Sequence, residues 1–266
     1  MHPILFEIGP VTIYSYGFFI AIGAIGGLVY MARAAKKQFG VSYDQSNTLF
    51  LYIVIAAFIG GKFFFLFENP SYYLSHPAKL IGGGGFVFFG SLLFAIPTML
   101  WFFGRNKIPV LPMLDVMAVV TCIVHGFGRI GCFMAGCCHG KPTDSFLSVV
   151  FTNPVCQAEP LNTPLHPTQL YEAGMIFSIM AFLLIFKSNK KFDGQMFLIY
   201  LIVYSIGRSV LEVLRGDIAR GFVIEDWISH SQFIAIIVTA VSIYFYVKLK
   251  RKGKLLKSNS QANGRR

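Results

Sequence analysis

Long apolar runs, each ending in a short polar or basic cluster, organise this chain of 266 residues. About twenty consecutive apolar residues suffice for a helix to cross a bilayer. The runs predict spans at Val11–Tyr30 and Leu49–Phe67, the second broken by Gly60-Gly61-Lys62. A third opens on the glycines Gly82–Gly85 and ends near Phe103. A fourth begins at Met113 and enters the stretch VHGFGRIGCFMAGCCHGKP, Val124–Pro142. Pro167 suits the first position of a helix, which gives a fifth span, Pro167–Phe186. Gly194–Leu214 is the sixth, and Phe233–Val247 the core of the seventh. Between them, Glu68–Leu80 and the Pro-containing Thr143–Leu165 read as loops outside the bilayer, and Arg215–Gln232 as a mixed loop. The pattern predicts an all-α integral membrane protein with seven transmembrane helices. Residues 1–247 form one membrane domain, and 248–266 a basic, disordered tail.

Composition agrees: 55% of residues are hydrophobic and only 13% charged, against about 25% charged in soluble domains. Met1–Pro10 lacks the basic start of a cleavable signal peptide. The net charge of +11 does not point to nucleic acid, because no basic helix or aromatic RNA-binding motif carries it. Instead, sixteen of the 23 Lys and Arg follow spans one, three and five or lie in the tail. The positive-inside rule makes that side cytoplasmic. Seven spans then put the N-terminus outside, together with Val124–Pro142 and Arg215–Gln232, and the C-terminus in the cytoplasm.

Charges within spans carry the candidate chemistry, since a charge at membrane depth needs a partner or a ligand. Arg129 sits among glycines in the fourth span. In the sixth, Tyr204, Arg208, Glu212 and Arg215 recur at steps of four, four and three, on one helix face. The plain alternative is an internal Arg208–Glu212 ion pair that tightens the bundle. With Arg129, three arginines face one acid, a cationic site suited to a phosphate. A phospholipid headgroup is such a ligand. Gly126-Phe127-Gly128-Arg129-Ile130-Gly131 fits G-x-G-x-x-G, but no strand precedes it and no acid lies near position 150, so helix packing by small residues explains it better. Cys132, Cys137, Cys138 and His139 offer soft ligands, yet C-x4-C-C-H is not a standard zinc spacing, and no metal is assigned. A disulfide or simple packing are the other readings of these cysteines. In His166-Pro-Thr-Gln-Leu-Tyr-Glu172, His166, Gln169 and Glu172 fall three apart, near one face. His166 is either a helix-start residue or a base.

Taken together, these residues resemble the prolipoprotein diacylglyceryl transferase family. Its glycine–arginine signature matches Gly128-Arg129-Ile130-Gly131, and its closing glycine matches Gly140. Its H-P-S-Q-L-Y-E run matches His166–Glu172 with one Ser-to-Thr change, and its late Y-x-x-x-R-x-x-x-E-x-x-R matches Tyr204, Arg208, Glu212 and Arg215. Its early aromatic-Tyr-Gly matches Ser15-Tyr16-Gly17 loosely, and its G-G-R appears as Gly60-Gly61-Lys62. The family's Asn three residues after the arginine is Cys132 here. A family Glu aligns with Cys137, and a family histidine of the third span aligns with Phe89. The chain therefore looks like a divergent member.

The resemblance implies a bacterial cytoplasmic (inner) membrane enzyme, a monomer that uses no cofactor. It would move the diacylglyceryl group of phosphatidylglycerol onto the lipobox cysteine of lipoprotein precursors. Arg129 and Arg208 would hold the phosphate and Glu212 would orient Arg208. Arg215, Tyr16, Tyr204 and Gly140 would complete the lipid site. With the family histidine replaced by Phe89, either the field of Arg129, Arg208 and Arg215 lowers the thiol pKa by itself, or another histidine serves as base, His166 ahead of His139 and His125. The alternatives are a membrane thiol or metal protein using Cys132, Cys137, Cys138 and His139, or a non-catalytic lipid-binding relative.

Overall fold

The computed structural model describes residues 1–9, 11–82, 85–216, 222–224 and 227–263. It gives the side chains of these except residues 11, 81, 82, 222 and 254–263. Three calls fall partly outside: Gly83 and Gly84 of the glycine run, residues 217–221 and 225–226 of the mixed loop, and residues 264–266 of the expected tail. The chain divides into two compact units, residues 1–27 with 114–266, and residues 28–113.

Seven helices among the described residues are long and apolar enough to cross a membrane. They are α1 (Ser15–Phe39), α2 (Tyr43–Leu66), α5 (Phe88–Arg105), α6 (Val110–Ala135), α7 (Thr168–Phe186), α8 (Gln195–Glu212) and α9 (His230–Asn263). The count matches the hydropathy reading; several boundaries do not. Val11–Tyr14 is not the start of the first span but strand β2, paired antiparallel with β1 (Ile4–Ile8). Ser15 begins the helix, its amide donating to the Pro3 carbonyl at 2.9 Å. The basic residues Arg33, Lys36 and Lys37 ride on the last turns of α1 instead of a loop. Glu68–Leu80 contains two short helices, α3 (Pro70–Ser75) and α4 (Pro77–Gly82), and the third span starts at Phe88. Two-stranded pairs β3 (Val149–Val150) with β4 (Pro164–Leu165), and β5 (Phe222–Ile224) with β6 (Ile228–Ser229), lie in loops read as irregular. Helix α9 continues to Asn263, into the stretch expected as tail.

Within the 28–113 unit, α2 passes through Gly60-Gly61 without the predicted break. The glycines serve packing. A Cβ at Gly60 would run into the Gly90 carbonyl and the Phe94 ring of α5, and one at Gly90 into Phe64. Close helix approach through small residues is how membrane helices gain dispersion contact when lipid offers no hydrophobic drive.

The larger unit uses the same device. A Cβ at Gly23 would lie 3.2 Å from the Val124 backbone, and one at Gly27 3.0 Å from Val124 Cγ2, which sets the first half of α1 against α6. Asp115, buried near the start of α6, accepts from the amides of Gly194 (2.9 Å) and Phe197 (3.0 Å) at the beginning of α8. Lys190 Nζ completes its shell at 3.1 Å. One carboxylate thereby caps the neighbouring helix, whose first amides have no partner of their own. Ser229 and Gln232 bond reciprocally at the start of α9 (Ser229 N to Oε1, 3.1 Å; Gln232 N to Oγ, 3.2 Å), a capping box. The loop after α6 builds its own small core from Phe151, Cys156, Ala158 and Leu165, with Phe133 and Met1 against it.

Candidate functional site

Three helix ends of the larger unit bring the candidate residues together. Glu172, in the second turn of α7 and buried, is the centre. Its Oε1 lies 3.0 Å from an Nη of Arg129 (α6) and 4.0 Å from Arg208 Nε (α8), and it accepts the Tyr204 hydroxyl proton at 3.0 Å. His125, one turn before Arg129 on α6, places Nε2 at 3.5 Å from the same oxygen and accepts from Arg129 Nε at 3.3 Å. The His125 and Tyr204 rings meet edge to face, with centroids 5.2 Å apart. Arg208 reaches Glu212 Oε2 at 2.5 Å. Glu212 Oε1 accepts from the hydroxyls of Ser229 and Ser231, tying α8 to the start of α9. The result is a line of alternating charge: Arg129, Glu172, Arg208, Glu212.

The spacing argument placed Tyr204, Arg208, Glu212 and Arg215 on one helix face; the first three lie on α8 and share these partners, but α8 ends at Glu212 and Arg215 falls beyond it, in a bridge with Gly140. Its charge count needs correction. Glu172 is a second acid, so Arg129, Arg208 and Arg215 face two carboxylates, not one. Each buried charge has a partner, which removes most of the cost of holding it in low dielectric. Three arginines and two carboxylates leave one net positive charge.

Arg215 is buried, and its backbone bridges to Gly140. Gly140 sits where three segments cross. Its amide donates to the His166 carbonyl (2.8 Å), the Lys141 amide donates to the Leu214 carbonyl (2.9 Å), and the Gly216 amide to the His139 carbonyl (3.3 Å). A Cβ at Gly140 would lie 2.6 Å from the Leu214 carbonyl oxygen. His166, expected as base, carries its imidazole 3.4 Å from the Tyr171 hydroxyl. Tyr16, in the first turn of α1, packs its backbone on Gly131, where a Cβ would stand 3.1 Å from its carbonyl oxygen. Gly128, beside Arg129, has nothing within 4 Å of a built Cβ, in contrast to Gly126, where a Cβ would stand 2.6 Å from the Phe177 ring. Packing therefore explains Gly126 and Gly131 but not Gly128. Phe89 belongs to the other unit and is exposed at the start of α5.

The His-Pro-Thr-Gln run does more than start a helix. Thr168 Oγ1 donates to the Cys138 carbonyl (2.8 Å), and Gln169 Nε2 to the Cys137 carbonyl (2.7 Å). The turn they hold has left-handed backbone at Gly136 (φ 81°) and Cys138 (φ 62°). It brings the sulfurs of Cys132, Cys137 and Cys138 within 4.8 Å of one another. Hydrogen bonds with the other two sulfurs, then burial, hold the Cys137 thiol above its usual range. Hydrogen bonds from Cys132 and Cys137 hold Cys138 below its own; burial opposes, and Arg215 and Arg129 add to the lowering. His139 is outside this group. Its Nδ1 faces the Gly140 carbonyl at 3.0 Å, and its Nε2 accepts from the Glu159 amide at 3.2 Å.

Helices of this length and apolarity, seven of them among the described residues, define a polytopic membrane protein. Residues 3–248 match the prolipoprotein diacylglyceryl transferase family, and the chain belongs to it. It is 34% identical to a phosphatidylglycerol–prolipoprotein diacylglyceryl transferase of Clostridium tetani over 92% of this chain and 97% of that one. It is also 34% identical to the transferase numbered 2 of Clostridium perfringens (96% and 98% covered). Identity to the Dehalococcoides mccartyi protein of that name is 28% (97% of each covered).

Proposed function

We propose that this protein transfers the diacylglyceryl group of phosphatidylglycerol to the thiol of the lipobox cysteine in lipoprotein precursors, working as a monomer at the outer face of a bacterial cytoplasmic membrane. The observation that carries the reading is the buried array Arg129–Glu172–Arg208–Glu212 at three helix ends. Carbon–oxygen cleavage in the lipid leaves negative charge on the departing glycerol phosphate. Arginines already oriented in a site that excludes water stabilise such charge without reorganising. Glu172 orients Arg129, and Glu212 orients Arg208. Tyr204 and Tyr16 serve as hydrogen-bonding walls, Gly140 fixes the turn behind the site, and Arg215 adds positive charge.

The thiol's sulfur forms the new bond to the glyceryl carbon, the carbon–oxygen bond to phosphate breaks, and the thiol proton must reach a base. His125, with Nε2 3.5 Å from Glu172, is a candidate for that role beside His166. The test is a transferase assay on phosphatidylglycerol vesicles with a lipobox peptide, read as the mass of one diacylglyceryl group on the peptide. His125→Gln and His166→Gln run beside the parent. A drop of roughly 10²-fold or more in the first variant alone assigns the base. A drop in the second alone returns it to His166. No transfer by the parent sinks the transferase reading and leaves a lipid-binding relative.

A further inference from the structure

The three clustered cysteines have no part in the reaction just described, yet they are arranged as a site. Cys132 lies in the last turn of α6, and Cys137 and Cys138 in the turn that follows. Neighbouring residues seldom point one way. Here the left-handed backbone at Gly136 and Cys138 turns the chain back on the helix, and Thr168 and Gln169 fix the two cysteine carbonyls. All three sulfurs consequently lie within 4.8 Å of one another. Metal–thiolate bonds of about 2.3 Å put ligand sulfurs about 3.8–4.0 Å apart in tetrahedral or trigonal geometry. Rotation of the thiols by less than an ångström, on the order of a small rotamer adjustment, would close the set. His139 cannot supply a fourth ligand without giving up the Gly140 carbonyl and the Glu159 amide. The donors are three soft sulfurs, which select thiophilic ions such as Cu(I), Zn(II) or Cd(II) over hard cations. Arg129 lies within electrostatic range of Cys132 and Cys138, and Arg215 of Cys138, so positive charge stands beside the trianionic ligand set.

We propose that Cys132, Cys137 and Cys138 form a three-thiolate site for a thiophilic metal ion, and that loading it suppresses diacylglyceryl transfer. Binding forms three sulfur–metal bonds, and whatever protons the three sulfurs hold pass to solvent, with no change of oxidation state. A loaded site carries net negative charge of one (divalent ion) or two (monovalent ion). That charge engages Arg129 and Arg215 and competes with the lipid phosphate. The suppression rests on the transferase reading; the metal site does not.

The experiment uses the full-length protein in detergent, reduced and stripped with chelator. Titration with Cd(II) should raise the thiolate-to-cadmium absorption band to an end point of one ion per chain. The end point in the parent is a readout that needs no variant. The band should vanish in C132S/C137S/C138S and persist in C122S/C156S. An absent band, or an equal band in the triple variant, overturns the site. In the peptide assay, one equivalent of Cd(II) should slow transfer at least about tenfold, a 1.4 kcal/mol effect. Chelator should restore it, and the triple variant should be active and insensitive. Binding without slowing overturns the suppression alone. Binding by a parent that never transfers overturns the transferase reading and leaves the metal site standing.

Discussion

Arg129 spends both ends of its guanidinium on the protein, Nε on His125 and an Nη on Glu172. Lysine offers charge without that fork. Arg129→Lys should therefore insert normally and lose roughly 10²-fold or more in turnover, measured on phosphatidylglycerol vesicles; near-parental turnover would reduce Arg129 to a point charge. Glu172→Gln removes the shared counter-charge of two buried arginines. It should cost about 3–5 kcal/mol in detergent unfolding, and more than the exposed Glu7→Gln, which has no such partners. The face that Tyr204, Arg208 and Glu212 share was legible from spacing alone; Arg215 was wrongly carried onto it, because spacing does not show that α8 ends at Glu212. Glu172 was legible only as a neighbour of His166, because spacing along α7 says nothing of which side chains arrive from α6 and α8. His125 was legible as a third candidate base but not as a partner of Glu172, for the same reason.

At the scale of elements, a carboxylate on one helix caps the start of another. Asp115 holds the first amides of α8 and the Lys190 ammonium. Burial pulls the Lys190 pKa down, but its bonds to Asp193 and Asp115 outweigh that and raise it above the usual 10.5. A raised folded value means that the protonated form contributes stability below about pH 10.5, and that the contribution is lost as pH climbs through the folded pKa. The difference in melting temperature between the parent and Lys190→Met should thus be constant from neutral pH to about pH 10 and shrink above it. A difference that widens there would contradict the pairing. At Gly140 the crossing of three segments leaves no room for a methyl group. Gly140→Ala should lower stability by about 1–3 kcal/mol through the Leu214 carbonyl. Hydropathy located each helix because twenty apolar residues in a row have few other uses. It misplaced the ends for particular reasons. The Ile4–Tyr14 hairpin is apolar enough to merge with the first span. Gly60 and Gly61 look like a break when helix packing against α5 is what they serve.

For the molecule as a whole, the decisive feature is depth. Arg129 lies six residues from the end of α6, Glu172 four from the start of α7, and Arg208 four from the end of α8. At about 1.5 Å per residue, the array sits roughly 6–9 Å inside the helix ends, where a lipid phosphate meets the apolar core. Tyr16 begins α1 at that same end. Charge decides which side of the membrane this end faces: within this unit Lys187, Lys190 and Lys191 follow the far end of α7, and Lys248, Lys250, Arg251 and Lys252 lie on the far part of α9, and Lys and Arg are retained on the cytoplasmic side. The prediction is that Val155, exposed in the loop after α6, faces outward and Ser188, exposed after α7, faces the cytoplasm. With the five native cysteines replaced by serine, Val155→Cys should react with a membrane-impermeant maleimide in intact cells. Ser188→Cys should react only once the membrane is permeabilised. The opposite pattern would place the arginine array in the inner leaflet, where a precursor's lipobox could not meet it after export, and the proposed substrate pair would have to be abandoned even if phosphatidylglycerol still bound.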